Sequence, residues 1–257
     1  MQGFGAVQLA VSKAILGCEN MARDGLDATV VGEIGKAFAL QGIEIVVLGC
    51  YINPIHPEAA ERRSMLRLFQ EHLRYARDFG CGLVALESGS MNADYSPHPA
   101  NHEPAAFEAM LESLGELVAT AERYDVCVGL EAVTSHTVST PRKMREVLDH
   151  LGARHLRVVF DPVNLLSADN HLRQQQIVSE ALTLLGGDIA VVHAKDFIAE
   201  PGGLRTVPAG RGELDYAPVM RFLRERAPHV PILLEEAGPE LAGECAGFLQ
   251  RKFEECL

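Results

Sequence analysis

The sequence predicts an α/β chain in which short parallel strands alternate with helices around a barrel. Three observations predict it. Short apolar, β-branched runs alternate with amphipathic stretches of helical period, and no composition break interrupts the series. The length of 257 residues suits a single unit over residues 1–257, because α/β barrels commonly occupy about 250 residues. Four of the runs end on an acid or an imidazole: VCVGLE at Glu131, RVVFD at Asp161, IAVVHAKD at His193, and PILLEE at Glu235 and Glu236. In a parallel sheet those ends share one rim, and in a barrel that rim carries the chemistry.

Taken in order, GAVQLAV (residues 5–11) alternates toward Leu9 and reads as a strand with nothing upstream to pair with. Asp27 is the N-cap of a helix whose Val30, Ile34 and Phe38 share one face, and Gly42 stops it. IEIVVLGC (43–50) is a buried strand, followed by a rim loop, NPIHP, that carries Asn53 and His56. Pro57 opens a long helix through Met65, Leu68, Phe69, Leu73 and Ala76, closed by Gly80. GLVALE (82–87) is the next strand, again tipped by a carboxylate. A polar rim loop (88–103) precedes a helix from Pro104 to about Tyr124.

After VCVGLE, Thr140-Pro141 supplies the N-cap and first position of a helix that ends near Gly152. Val158, Val159 and Phe160 form a run too short for a helix, and Asp161-Pro162 halts it, so it reads as a strand. Residues 171–185 are helical, with Gly186-Gly187 as terminator. IAVVHAKDF leads into AEPGGLRTVPAGRGELDY, a Gly- and Pro-rich stretch too long for a simple connector and therefore expected to be a lid or substrate loop. A helix from about Tyr216 to Arg226, the strand PILLEE and a helix from Pro239 complete the chain. The strands number seven, ending near Leu9, Cys50, Glu87, Glu131, Asp161, His193 and Glu235. A closed (β/α)8 barrel needs eight.

Composition narrows the partners. A net charge of -12 argues against a nucleic-acid backbone, which calls for a basic face. The six cysteines, Cys18, Cys50, Cys81, Cys127, Cys245 and Cys256, contain no CxxC pair, so they read as small buried hydrophobes in a reducing, cytoplasmic setting. Lys13 interrupts the only early apolar stretch that could pass for a signal. No run approaches the roughly 20 apolar residues of a membrane span.

The ordered series VQLA, VVLGCYINPIHP, VALESGS, VGLE, FDPVNLL, VHAKDF, GRGELDY and LLEE resembles the xylose isomerase-like family of sugar and sugar-phosphate isomerases and epimerases over nearly the whole chain. The resemblance implies a (β/α)8 TIM barrel and one divalent metal, held by the residues matching Glu131, Asp161, His193 and Glu235. It also implies homo-oligomerisation. Two departures stand out. VQLA falls on the family's second strand, so the expected fold is a barrel lacking the first β/α unit: seven strands, open, with the edges near Leu9 and Glu235 facing across a gap that weakens the fold more than it alters the site. Asn164 stands where many relatives have a His, and it can hydrogen-bond a hydroxyl but cannot titrate.

Three carboxylates and one imidazole form a hard donor set that suits Mn²⁺, Mg²⁺ or Co²⁺, with Zn²⁺ also compatible. The expected chemistry is proton transfer on a ketose through an enediolate, with Glu131 and Glu235 as the acid/base pair and the ion stabilising the anion. His56, Glu87, Asn164, Lys195 and Arg211 are the candidate substrate contacts, Arg211 for a phosphate or carboxylate. Alternation puts Lys195 on the side of His193 and turns Asp196 away, toward a structural ion pair. Plainer readings stand beside these: N-caps or loop anchors for Asp161 and Glu131, Glu236 in place of Glu235, rim packing for His56 and Glu87, loop stabilisation for Arg211. The remaining histidines, His136 among them, have no spacing that argues for a ligand. The alternative functions are a catalytically inactive sugar-binding member, or an apurinic endonuclease-like hydrolase, against which the single strand-tip imidazole and the acidic charge speak.

Overall fold

The computed structural model describes residues 3–19, 21, 25–152 and 154–256. Strand β1 (Ala6–Leu9) is followed by a short helix α1 (Val11–Ala14) and by α2 (Ala28–Leu40). Then come β2 (Glu44–Gly49), α3 (Ala59–Tyr75), β3 (Leu83–Glu87), α4 (Pro104–Tyr124), β4 (Cys127–Glu131), α5 (Pro141–Leu151), β5 (Leu156–Phe160) and α6 (Gln174–Leu185). The chain continues through β6 (Ile189–Glu200), β7 (Gly203–Pro208), α7 (Ala217–Arg226), β8 (Ile232–Leu234) and α8 (Pro239–Glu255). Helix starts follow local chemistry. The Asp27 carboxylate accepts from the amides of Thr29 and Val30 ahead of α2, and the Thr140 hydroxyl accepts from Lys143 N ahead of α5, with Pro141 in its first turn. None of the helices among the described residues is long and apolar enough to cross a membrane.

Seven strands, β1 to β6 and β8, lie parallel in sequential order and curve into a barrel wrapped by helices. Val47, Leu83, Ala85, Val159, Val191 and Leu233 form an apolar cluster of their own on the strands, separate from the larger core packed against the helices. Each of the valine and leucine side chains contributes about 1.5–3 kcal/mol by leaving water. A Cβ at Gly129 would lie 3.0 Å from Val159 Cγ2 and 3.3 Å from Ala85 Cβ, so the residue that keeps β4 close to its neighbours is the one without a side chain. Parallel pairing sets Glu87 directly beside Glu131.

The sheet is open, as the strand count predicts. Among the described residues no backbone pairing joins β1 to β8, and a groove of 460 Å³ lies between them, lined by Phe4, Val7, Phe38, Ile232 and Leu234.

Two expectations are corrected. The expected lid loop is a β-hairpin: β7 pairs antiparallel with the outer half of β6, from Lys195 opposite Pro208 to Glu200 opposite Gly203. Pro201-Gly202 makes the turn, with Gly202 at φ +98°, and the short run LRTV is a strand hidden among Gly and Pro. Asp196 is buried but forms no ion pair among the described residues. Its carboxylate accepts from the amides of Phe197 (2.9 Å), Leu214 (2.8 Å) and Gly210 (3.1 Å), which pins residues 210–214 against β6.

The rim loop after β3 is anchored in the same manner. Asn53 Oδ1 accepts from Ser90 N at 3.1 Å, and Asn53 Nδ2 donates to Ser90 O (2.7 Å) and Asn92 O (3.0 Å). Gly89, at φ +74°, has no room for a Cβ, which would stand 2.8 Å from both Asn53 Oδ1 and Pro54 Cδ. Gly89→Ala is therefore expected to destabilise the fold by about 2 kcal/mol or more in urea unfolding, through left-handed strain plus the clash. A loss below about 0.5 kcal/mol would mean that the loop relaxes freely.

Candidate active site

Glu131 closes β4, Asp161 follows β5 and Glu235 follows β8, while His193 lies in β6 opposite Leu233, just before that strand leaves the barrel to pair with β7. Ligating atoms of Glu131, Asp161 and His193 all fall within 4.8 Å of one another, and the three residues are buried. Glu235 joins them: its Oε1 is 3.0 Å from His193 Nδ1, which is 3.4 Å from Glu131 Oε1. Of the two glutamates after β8, Glu235 faces the cluster, whereas Glu236 is exposed at φ +58°. Asp161 Oδ1 accepts from the amides of Val163 (2.8 Å) and Asn164 (3.2 Å), and Asn164 Nδ2 donates to Glu131 Oε1 at 2.7 Å. Lys195 Nζ lies 2.7 Å from Asp161 Oδ2 and 2.9 Å from Glu235 Oε2.

Two buried atoms of the cluster bear on whether a divalent ion fits there. His193 Nδ1 is buried with no hydrogen-bond partner, and Asp161 Oδ2, also buried, meets only the Lys195 ammonium. His193 Nε2 bonds Gln8 Oε1 at 2.9 Å, and Gln8 is itself held by donating to the Tyr51 hydroxyl. With Nε2 as the donor, a neutral His193 turns a bare Nδ1 lone pair toward two carboxylate oxygens. That arrangement is repulsive unless a cation, proton or metal, sits among them. Burial works against a charged His193, but the facing carboxylate of Glu131, then those of Glu235 and Asp161, outweigh it and push the imidazole up to about 9. Burial raises Asp161 to about 6, against the pull of Lys195. The donor set and its unpartnered nitrogen fit a hard divalent cation.

Above the cluster opens a cleft of 420 Å³ lined by Lys13, Tyr51, Glu87, Tyr95, Glu131, Asn164, Lys195 and Glu235. A larger depression of 720 Å³ lies on the outer helices around Glu71, Arg74 and Arg123 and holds none of the strand-end groups. Burial, then the charge of Glu131, raises Glu87 to about 7. Its neighbour His136, 3.5 Å away, is driven down to about 4 by burial and stays neutral.

The raised Glu87 carries a sign. Its folded form binds a proton more tightly than the unfolded chain, so its contribution to stability is full below about pH 4.5 and is lost as pH rises through about 7. Each unit is worth about 1.4 kcal/mol, which caps the effect at about 3 kcal/mol. In chelator, Glu87→Gln is therefore expected to be more stable than the parent at pH 8 and no more stable at pH 4. Parallel stability profiles for the two proteins would refute this.

The other expected contacts divide. Glu87, Asn164 and Lys195 line the cleft. His56 is buried in its rim loop, where Nδ1 accepts from Glu58 N at 3.1 Å, and it does not line the cleft. Arg211 is half-exposed and paired with Glu244, also away from the cleft. Sequence reasoning missed Gln8, Tyr51, Tyr95 and His136. Gln8 alone had a local signal, an amide amid the apolar alternation of β1.

Residues 2–252 match the family profile described as xylose isomerase-like TIM barrel. L-ribulose-5-phosphate 3-epimerase UlaE of Escherichia coli (strain K12) is 25% identical over 190 residues, which are 73% of this chain and 62% of that protein. The crystal structure of a D-tagatose 3-epimerase-like protein superposes with a TM-score of 0.74 at 16% identity, covering 98% of this chain and 97% of that one. IolI protein, solved with a bound zinc atom, superposes with a TM-score of 0.73 at 16% identity, covering 99% and 88%. These structural likenesses are likenesses of fold.

Proposed function

The chain belongs to the xylose isomerase-like TIM barrel family, and from that membership we propose that it is a divalent-metal-dependent sugar or sugar-phosphate isomerase, with epimerisation next to a ketone as its reaction. The observation that carries the reading is the buried cluster of Glu131, Asp161 and His193, whose ligating atoms lie within 4.8 Å of one another, with the His193 Nδ1 lone pair unpartnered and Glu235 beside it under an open cleft. Likeness to L-ribulose-5-phosphate 3-epimerase supports a ketose or ketose phosphate as substrate.

Glu131, Asp161, His193 and Glu235 would hold the ion. When bound, it supplies positive charge that stabilises the anion left when a carbon acid loses its proton. The protein's own groups do the rest. Glu131 and Glu235 come from the ends of separate strands, β4 and β8, and both reach His193 Nδ1, at 3.4 and 3.0 Å, which suits one for taking the carbon-bound proton and the other for returning it to the other face. Burial opposes the charge of Glu235, but His193 and Lys195 hold its carboxyl below the usual range, so it starts as a base. Asn164 fixes Glu131 by its amide, and the Tyr51 and Tyr95 rings form walls against which a sugar can pack.

The test is exchange of the carbon-bound proton adjacent to the ketone with solvent deuterium, followed by NMR for a panel of ketoses and ketose phosphates with Mn²⁺, Mg²⁺ or Co²⁺. Metal-dependent exchange is expected, and its absence with every ketose would overturn the reading. Lys13 lies at the cleft mouth with its ammonium 4.8 Å from the centre of the Tyr51 ring. Lys13→Met therefore separates substrate classes, raising KM for a phosphorylated ketose and leaving it unchanged for a free one.

A further inference from the structure

We propose that Lys195 is a built-in cation: its ammonium holds the divalent-ion site together when no metal is bound, and metal binding expels it into the substrate cleft. The inference rests on the metal-site reading above and adds an exchange between two cations for one place. Three observations carry it. Lys195 lies two residues beyond His193 on β6, so its side chain leaves on the same side. Its Nζ bridges Asp161 Oδ2 (2.7 Å) and Glu235 Oε2 (2.9 Å), and its side chain is only 9% exposed. Asp161 Oδ1 is already engaged by the Val163 and Asn164 amides. Oδ2 is thus the oxygen left for a cation, and Lys195 occupies it.

A divalent ion that takes Asp161 Oδ2 competes for it with the ammonium. Both cations would crowd one oxygen, and like charges a few ångströms apart repel strongly where water is scarce, which favours release of the ammonium over sharing. The displaced amine has somewhere to go. Lys195 already lines the cleft, where the Glu87 carboxylate offers a partner within the same wall, and a flexible four-carbon stem lets the amine swing. Released there, it becomes a donor to substrate oxygens, so ion loading prepares the cleft for its ligand.

The test titrates chelator-stripped protein with MnCl₂ by calorimetry, using the parent, Lys195→Met and Lys13→Met. Lys195→Met is expected to bind Mn²⁺ at least tenfold more tightly than the parent. Lys13→Met, which removes an ammonium from the cleft mouth, is expected to change affinity less than threefold, which separates site exchange from a general change of field. Binding by Lys195→Met alone also supports the proposal. Equal or weaker binding by Lys195→Met, with the parent binding normally, overturns it and leaves the metal reading standing. If neither binds, both fall. Should Lys195→Met fail to fold, reductive methylation of the parent decides: Lys195 is expected to be methylated at least fivefold faster with MnCl₂ than with chelator. Equal or slower labelling overturns the proposal.

Discussion

Asp161→Asn is expected to abolish tight Mn²⁺ binding, lower kcat/KM by about a thousandfold or more, and destabilise the metal-free protein by about 3 kcal/mol. The geometry allows the amide no good orientation. With its oxygen toward the Val163 and Asn164 amides, its NH₂ faces the Lys195 ammonium that Asp161 Oδ2 now meets at 2.7 Å. Flipped, the NH₂ faces two backbone N–H groups. Either way donor meets donor in a buried site, and Lys195 loses one of its two carboxylates. Urea unfolding in chelator measures the stability term, and calorimetry with Mn²⁺ the binding term. A variant that still binds one ion with parental affinity would remove Asp161 from the proposed ligand set.

Glu235→Gln is expected to separate two activities that the parent performs together. The substitution keeps size and shape, and its amide can accept from Lys195 while donating to His193 Nδ1, so the fold survives. Glu131, Asp161 and His193 remain within 4.8 Å of one another to hold an ion. One of the two faces of the substrate carbon has then lost its proton carrier. Epimerisation should fall about a thousandfold, while exchange of the carbon-bound proton with solvent persists in one epimer. Equal loss of both, measured by NMR and a chiral product assay, would sink the two-sided scheme.

Much of the framework was legible before any coordinates. Thr140-Pro141 and Asp27 announced two helix starts because a side-chain oxygen at an N-cap is a local requirement. Strands ending in Glu131 and Asp161 were readable because a charge at the close of a β-branched run leaves it little choice but the rim. The hairpin was not legible. LRTV is too short to stand out from the Gly and Pro around it, and its pairing partner is the far end of a strand whose first half is committed to the barrel. Asp196 misled for a related reason: alternation says which way a carboxylate points, not whether amides or a cation will meet it there.

Local order along the chain was thus enough to specify alternating strands and helices, seven parallel strands, and an acid or imidazole at the exits of four of them. Period-two alternation and capping act over a few residues, and those residues are adjacent in the chain. The partners of those groups were decided only by folding. Gln8 reaches His193 across 185 positions of sequence, Lys195 sits on Asp161 and Glu235, and Arg211 turns to Glu244. Such contacts depend on strand register and on how far the sheet curves before it stops. Neither is written in the spacing of any one segment.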